Sequence, residues 1–436
     1  PLWAVLYRAA VALHLVAVAS YAKELRCEPT EPGVCHVRES AETSWETGEF
    51  RLWFDGDIYI DEGVSLVSLL QAADIMIIST GKLTIMDRAE IKSESDIHLW
   101  AKAYEIHSDV SLLADVKVTF GDDYDTQECE KLSIFGDRVN ISAGADMEVE
   151  CPKGLVEITG KNSKIELGEI RPADQVKFHC RCNSAHIGPG VSLDAPIINI
   201  EAATDLILSA QMAAKKVDTA LETPEVQLNL KAGDWLHMGT RESEWRVHRL
   251  KAAASYITLQ TGHVIKKSSG TSTLENTKRA MNADMCLGVM EKAKGTLEEF
   301  ASYVADKILL KFEVVIVAKE TFDMLPSSRV MGASLLICSG DEGTLDSGAL
   351  LSAECRGHGP GKGCCTGETL QDCGAAGGAS SFGDGGNGAK FTTQSVDPCA
   401  KTSSSKVAPF SMAKDSTLPT ETASGGGCGT PSDVCG

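Results

Sequence analysis

The chain has few basic residues for its length. Its 436 residues include 41 Lys and Arg against 61 Asp and Glu, which gives a formal net charge of −20. Nucleic acids and anionic membrane surfaces are bound through clusters of Lys and Arg, so this balance argues against both as partners. An apolar fraction of 43% excludes global disorder and leaves enough material for a sizeable core.

The sequence opens on an apolar run, Ala9–Ala19, that is too short for a comfortable transmembrane span. Arg8 precedes the run, and residues 20–22 (Ser-Tyr-Ala) place small side chains at the cleavage positions of a secretory leader. We therefore predict a signal peptide over residues 1–22 and an extracellular or cell-surface location. A buried N-terminal helix is the alternative interpretation.

The dipeptides that favour tight β-hairpins are scarce. Asp-Gly occurs at Asp55-Gly56 and Asp384-Gly385, and Asn-Gly at Asn387-Gly388. An antiparallel β-sandwich uses such turns repeatedly, so their scarcity argues against that fold.

Alternation of apolar and polar residues is instead the dominant pattern, and it is clearest between Asp74 and Phe120. A period of two predicts short strands with one buried side. A larger repeat lies above it, because Asp74-Ile-Met-Ile, Asp96-Ile-His-Leu and Asp115-Val-Lys-Val follow one another at similar intervals. Stacked coils of roughly 20 residues are typical of a parallel β-solenoid, which is the predicted fold class.

The rhythm changes after Thr271. Leu274–Lys294 and Leu297–Leu310 are predicted helices, and Thr296 with Glu299 forms a predicted capping box before the second one. An amphipathic helical hairpin must cover an apolar surface, so we expect it to be an insertion against the flank of the solenoid. The predicted organisation is a signal peptide (1–22), a Cys-bearing cap (23–50), the solenoid (51–270), the helical insertion (271–311), further solenoid strands (312–356) and an irregular Gly/Ser/Cys-rich segment (357–436).

Fifteen cysteines behind a secretory leader indicate disulfide bonds made in an oxidising compartment. The odd number leaves one thiol free or paired outside this chain. Asn140-Ile-Ser142 is a predicted glycosylation acceptor. The disulfide candidates are Cys27, Cys35, Cys180, Cys182, Cys364, Cys365, Cys373 and Cys399.

Two short clusters could bind metal ions. Asp122, Asp123 and Asp125 place three carboxylates close together in sequence, which makes them a Ca²⁺ candidate, with a solvated turn as the alternative. Residues 179–182 (His-Cys-Arg-Cys), with His186 nearby, offer thiolates and an imidazole to Zn²⁺, but disulfide formation is favoured in a secreted chain. No other cofactor is predicted.

The Gly-rich stretch over residues 330–390 contains SAECRGHGPGKG and GAAGGASSFGDGGNGAK. It resembles the Gly-rich segment of very large protist surface proteins, in which pectin-lyase-like β-helix coils are interrupted by a motif close to GxGxGxGxG…GGGASxGGxGG. The resemblance implies a right-handed parallel β-helix on or outside the cell, often part of a longer chain. It implies little about activity, and any membrane attachment would lie in a missing part of the chain.

Catalytic motifs are scarce. Gly357-His358-Gly359 is similar to a polygalacturonase motif, but the paired aspartates at Asp122-Asp123 lie far from it in the sequence rather than one coil away. No G-x-S-x-G elbow and no HExxH occurs. We therefore expect a structural or adhesive solenoid segment that binds surface proteins or glycans. The alternative is a carbohydrate-active β-helix enzyme acting on acidic polysaccharide.

Overall fold

The computed structural model of the chain is mostly β, with parallel sheets and two helices among the residues it describes. It divides into two compact units, residues 1–217 and 218–436. No helix in the described part of the chain has the length and apolar character needed to cross a membrane. The described residues are 23–24, 28–43, 50–69, 73–121, 129–168, 176–213, 226–241, 243–267, 281–282, 284–306, 314–331, 335–352 and 417–418.

The first unit is built from short strands. They are β1 Lys23–Glu24, β2 Glu28–Glu31, β3 Val34–Val37, β4 Ala41–Thr43, β5 Phe50–Phe54, β6 Asp57–Ile60, β7 Ser65–Ser68, β8 Ile75–Ser79, β9 Lys82–Ile85, β10 Glu90–Ser93, β11 Ile97–Trp100, β12 Ala103–Ile106, β13 Ser111–Ala114, β14 Lys117–Gly121, β15 Lys131–Ile134, β16 Asn140–Ala143, β17 Asp146–Ile158, β18 Ser163–Leu167, β19 Lys177–Ile187, β20 Val191–Asp194, β21 Ile197–Ala202, β22 Leu206–Leu208 and β23 Gln211–Ala213.

These strands form three parallel ladders. The first runs β1-β5-β8-β11-β14-β17-β19-β21, and the second runs β3-β6-β9-β12-β15-β17-β19-β22. The third runs β4-β7-β10-β13-β16-β18-β20-β23. The chain thus visits each ladder once per circuit, and the long strands β17 and β19 serve the first two ladders together. Among the described residues of this unit, antiparallel pairing is confined to β2 and β3.

The circuits differ in length. The circuit that leads from Met147 to its partner Phe178 is longer than the one that leads from Ile75 to Ile97. The third copy of the predicted repeat is out of register. Val118, not Val116, pairs with Ile97, so Lys117 takes the place that Asp74 and Asp96 hold in the two preceding circuits. Val116 is accordingly half-buried rather than buried, because it precedes the first residue of β14.

The core of the first unit consists of the alternate, inward residues of each ladder. The apolar residues of the Asp74–Phe120 pattern, Val116 excepted, are almost fully buried: Ile75, Ile77, Leu83, Ile85, Ile91, Ile97, Leu99, Ile106, Val110, Leu112, Val118 and Phe120. At roughly 1.5–3 kcal/mol for each buried Val, Leu, Ile or Phe side chain, this burial is the main stabilising term. Tyr104 is the polar exception, and its hydroxyl donates to Leu99 O and accepts from the Ala101 and Gly121 N–H groups.

One corner of several circuits uses left-handed backbone. Arg88, Asp109, Arg138 and Asn162 have φ values of 62°, 59°, 57° and 55° at the turn before the third-ladder strands, where Gly63 (71°) lies in an earlier circuit. Each of these residues except Asn162 donates its N–H to the next circuit, as Arg88 does to Ser108 O at 3.0 Å. The hydrogen bonds between stacked circuits therefore stabilise a left-handed conformation that costs a non-glycine residue about 1–2 kcal/mol.

The second unit repeats the three-ladder arrangement. Its elements are β24 Gln227–Ala232, β25 Trp235–Met238, β26 Glu244–Val247, β27 Arg249–Leu259, β28 Val264–Lys267, β29 Met281–Asn282, α1 Asp284–Lys292, α2 Leu297–Asp306, β30 Val314–Met324, β31 Arg329–Met331, β32 Leu335–Ser339, β33 Glu342–Leu345, β34 Leu350–Ser352 and β35 Thr417–Leu418. The parallel ladders are β24-β27-β30-β32, β25-β27-β30-β33 and β26-β28-β31-β34, and β29 pairs antiparallel with β35.

The helical hairpin lies between β28 and β30 in sequence and covers the outer side of the first ladder of this unit. Its buried residues Val289, Phe300 and Val304 contact an outward apolar surface on β27, β30 and β32. The predicted packing against a sheet flank is confirmed. That outward surface consists of Ala253, Val315, Val317, Leu336 and Cys338.

The predicted helix boundaries are partly wrong. Met281–Asn282 is a strand rather than part of the first helix, and α1 begins at Asp284. The predicted capping box is confirmed, because the Glu299 N–H donates to Thr296 Oγ1 and the Thr296 N–H donates to Glu299 Oε2, both at 3.2 Å.

Candidate functional site

Outward charges in the first unit are mostly paired between neighbouring circuits. Lys117 Nζ lies 2.5 Å from Glu148 Oε2, and Lys131 Nζ lies 3.7 Å from Glu157 Oε2. Lys82 pairs with Glu105 in the same way. Exposed pairs of this kind contribute at most about 1 kcal/mol each. The charges are therefore distributed along the ladders as local pairs rather than converging on one point.

A row of outward apolar side chains interrupts this charged surface. Trp53, Ile78 and Trp100 occupy the same outward register position in β5, β8 and β11. Ile78 points outward yet is only 2% exposed, whereas Trp53 is 58% exposed. We call these three residues the aromatic strip. Neighbouring strands lie about 4.8 Å apart, so the backbones of Trp53 and Trp100 are separated by roughly 10 Å.

A polar cluster lies beside the strip at the start of the same strands. Asp74 and Asp96 precede β8 and β11 at equivalent positions, and the Asp96 N–H donates to Asp74 Oδ1 at 3.3 Å. His98 lies two residues after Asp96 on the same side of β11, with Nε2 3.8 Å from Asp96 Oδ2. The His98 ring stacks on Trp100 with the ring centroids 5.4 Å apart. We call Asp74, Asp96 and His98 the acid–His cluster.

The electrostatics of the cluster are those of two close carboxylates. Burial raises the pKa of Asp96, and the charge of Asp74 raises it further, while His98 and Lys117 act in the opposite direction. The backbone N–H of Lys117 donates to the Asp96 carboxylate. Asp96 Oδ1 is buried and has no hydrogen-bond partner among the described residues. Thr119, the register partner of His98, also has a buried hydroxyl without a hydrogen-bond partner among the described residues.

The acid–His cluster is the group of potential metal ligands that the described residues bring together. One donor atom from each of Asp74, Asp96 and His98 lies within 4.8 Å of the other two. The predicted Ca²⁺ candidate, Asp122, Asp123 and Asp125, lies outside the described residues, as does Gly357-His358-Gly359.

The predicted Zn²⁺ set is not assembled. His179 and His186 lie on the outward side of β19, whereas Cys180 and Cys182 are buried on its inward side, because successive strand residues point to opposite faces. Cys180 and Cys182 form a hydrogen bond with their sulfurs 3.9 Å apart. This bond and burial raise the pKa of Cys180 well above its usual value. Both cysteines are free thiols, so the disulfide expected of them is absent.

Two other disulfide assignments are informative. Cys35 is disulfide-bonded, in agreement with the prediction for that residue. Cys129 is bonded to Cys151, a pair that sequence reasoning missed. The signal was present, since the two cysteines are separated by the length of one circuit and both fall on inward positions. Cys27, Cys364, Cys365, Cys373 and Cys399 lie outside the described residues.

Asn140, the predicted glycosylation acceptor, is the first residue of β16 and lies between Ser111 and Lys164 on the outward side of the third ladder. Its modification stays a prediction.

The second unit contributes two further features, an exposed aromatic pair and a buried histidine. Trp235, which is 43% exposed, stacks on Tyr256 with the ring centroids 4.4 Å apart. His263 is fully buried, with Nδ1 2.8 Å from Ser243 Oγ and its ring edge-on to Trp245. Burial lowers the pKa of His263 to about 4, and the Ser243 backbone acts weakly against it. This histidine is a core residue without access to a substrate.

Comparison with known protein families, curated proteins and solved structures finds no match to this chain.

Proposed function

We propose that the chain is a secreted or cell-surface structural and adhesive segment of a larger protein, folded as a right-handed parallel β-helix. The parallel ladders, each visited once per circuit, support the β-helix assignment. Its handedness follows from the general rule that crossovers between parallel strands of one sheet are right-handed. The predicted leader at residues 1–22 supports secretion, and fusion of those residues to a reporter enzyme should direct the reporter out of the cell.

The aromatic strip is the observation that carries the adhesive role. Exposed apolar patches on a folded surface usually mark binding sites, and tryptophans provide large, rigid contact areas. A parallel sheet in which the backbones of Trp53 and Trp100 lie roughly 10 Å apart suits an extended ligand that contacts several circuits at once. Sugar rings offer flat C–H faces to the indoles and hydroxyl donors to the neighbouring Asp74 and Asp96. Glycans are therefore the preferred ligands, and other surface proteins are the alternative.

A glycan microarray probed with the purified chain tests this function. The double variant Trp53→Ala/Trp100→Ala should weaken binding to any captured glycan by tenfold or more. Trp235→Ala is the matched control, because it removes an exposed tryptophan from the second unit and should leave that binding unchanged. Loss of binding in the control but not in the double variant would show that the glycan does not bind at the aromatic strip.

The enzymatic alternative has one specific observation in its favour, the close pair Asp74 and Asp96 with the pKa of Asp96 raised. A carboxyl group with a raised pKa beside a second carboxyl group is an arrangement that glycosidases use. Incubation with polygalacturonate and other uronic-acid polymers tests it through release of reducing ends. Release that disappears in Asp96→Asn would favour an enzyme, and no release at any pH between 4 and 8 would leave the adhesive function.

A further inference from the structure

Among the described residues, no Lys or Arg side chain forms an ion pair with Asp74 or Asp96 of the acid–His cluster. Glu105, Glu148 and Glu157, by contrast, each pair with a lysine of a neighbouring circuit. At this corner Asp74 lies next to Asp96, and the nearest lysine, Lys117, has its ammonium group 2.5 Å from Glu148. Two adjacent carboxylates without an ammonium group between them favour a bound cation.

A second observation points to a ligand at the same place. Asp96 Oδ1 is buried and lacks a hydrogen-bond partner among the described residues. Buried carboxylate oxygens are almost always satisfied, and an exception in a folded protein calls for a bound water or ion. The orphan atom belongs to Asp96, and one carboxylate oxygen of this residue lies within 4.8 Å of a donor atom from each of Asp74 and His98.

The donor set indicates which cation would be bound. Two carboxylates and an imidazole are nitrogen and oxygen ligands, which suit Zn²⁺ and neighbouring first-row metals, whereas Ca²⁺ and Mg²⁺ prefer oxygen alone. Two ligands on one tetrahedral Zn²⁺ lie about 3.4 Å apart. His98 Nε2 and Asp96 Oδ2 lie 3.8 Å apart, which is close to the separation that two ligands of one Zn²⁺ require.

We propose that Asp74, Asp96 and His98 bind a divalent transition-metal ion of the Zn²⁺ class between two consecutive circuits. Three protein ligands leave at least one coordination position open to water or to a ligand oxygen. The site lies beside the aromatic strip, because His98 stacks on Trp100. This proposal does not depend on glycan binding, and its test uses metal alone.

Isothermal titration of the chelator-treated full chain with Zn²⁺, and with Co²⁺ for its absorption spectrum, tests the proposal. Asp96→Asn and His98→Gln should each weaken one Zn²⁺-binding event by tenfold or more and remove the rise in Tm that Zn²⁺ causes. Metal that binds to cysteines elsewhere in the chain is unaffected by these changes, so the difference between wild type and variants isolates the site.

The chain offers two matched controls. Asp146 holds the equivalent corner position further along the ladder but lies next to Lys117 and accepts the Lys177 N–H at 3.0 Å. His179 is an outward histidine 3.4 Å from Glu150. Asp146→Asn and His179→Gln should leave Zn²⁺ binding within twofold of wild type.

Three outcomes would overturn the proposal: equal Zn²⁺ binding by wild type and both cluster variants, no Zn²⁺ binding by wild type, or stronger binding of Ca²⁺ than of Zn²⁺. Folding of the variants is checked without metal. Asp96→Asn should then melt at or above the wild-type temperature, because it removes a like charge beside Asp74. His98→Gln supplies an independent variant at an outward position.

Discussion

Among the residues that the structure describes, the first ladder has a bare outer side in the first unit and a covered outer side in the second. In β11 and β14 the outward positions carry polar, charged and aromatic side chains such as His98, Trp100 and Thr119, and in β8 they carry Met76 and Ile78. In β27, β30 and β32 the outward positions carry Ala253, Val315 and other apolar residues, and helices α1 and α2 lie over them. The backbone pairing is the same in both units, so the difference lies in the side chains alone.

One architecture thus produces two kinds of surface. Where a strand carries apolar residues at its outward as well as its inward positions, the hydrophobic effect favours burial of both sides. The helical hairpin buries the outward side with Val289, Phe300 and Val304. Where the outward positions carry charged, polar and aromatic side chains, no described helix lies over the sheet. The bare side is therefore the side on which recognition is expected.

The largest effect is expected at the covered side. Phe300 is fully buried between the hairpin and the sheet, so Phe300→Ala should lower the free energy of unfolding of the second unit by about 3–5 kcal/mol. Phe135→Ala is the matched control, because Phe135 is 47% exposed, and it should cost less than about 1 kcal/mol. Urea denaturation measures both. Equal losses would mean that the helices do not seal the outward surface.

Acid should weaken the second unit through His263. Its pKa is about 4 in the fold and about 6.5 in the unfolded chain, so between these pH values the unfolded chain holds the extra proton. Stability is therefore complete above pH 6.5 and falls by up to about 3 kcal/mol as the pH drops to 4. Urea denaturation at pH 7 and 4.5 checks this.

His263→Gln should reduce that pH dependence, whereas His179→Gln, at an outward site, should retain it. A wild-type protein whose pH dependence matches that of His263→Gln would show that the buried imidazole is not responsible.

The capping box should have an intermediate effect. Thr296→Ala removes the acceptor for the Glu299 N–H and should destabilise α2, and with it the covered surface, by about 1 kcal/mol. Thr296→Ser keeps the hydroxyl and is the control, with a much smaller loss. Thermal unfolding followed by circular dichroism compares the two, and an identical Tm for both variants would contradict the assigned role.

The smallest effect is expected on the bare side. Lys131→Gln breaks the exposed pair with Glu157 and should change the free energy of unfolding of the first unit by less than about 0.5 kcal/mol. The same measurement at high salt should remove the difference, since salt screens exposed charges. A loss of unfolding free energy several times larger than this would contradict the expectation that such exposed pairs contribute little to the stability of the ladders.

Much of the fold could be predicted because its signals are local. Alternation identified the inward residues between Asp74 and Phe120, and the Thr296–Glu299 spacing identified the start of α2. Register could not be predicted, because insertions at the corners shift it: the motif at Asp115 looks like a third repeat, yet Lys117 occupies the equivalent position.

The candidate site was harder to predict than the fold. Asp74 and Asp96 were recognised as a repeat, but their contact depends on a pairing that brings residues of consecutive circuits side by side. The same holds for Cys129 and Cys151. Cys180 and Cys182 show the reverse error, since closeness in sequence suggested disulfide chemistry that inward burial does not provide.

Stacked circuits require that the chain return to the same ladder after every third strand, and cross-linking tests this most directly. Ser65 and Glu90 are register partners in β7 and β10, with Ser65 Oγ 3.2 Å from Glu90 Oε2. Under mild oxidation, Ser65→Cys/Glu90→Cys should form an intramolecular disulfide that peptide mapping detects in most molecules. Ser65→Cys/Lys92→Cys, displaced by two positions along the same strand, should form far less. Equal cross-linking of the two pairs, or none in the first, would contradict the stacked circuits.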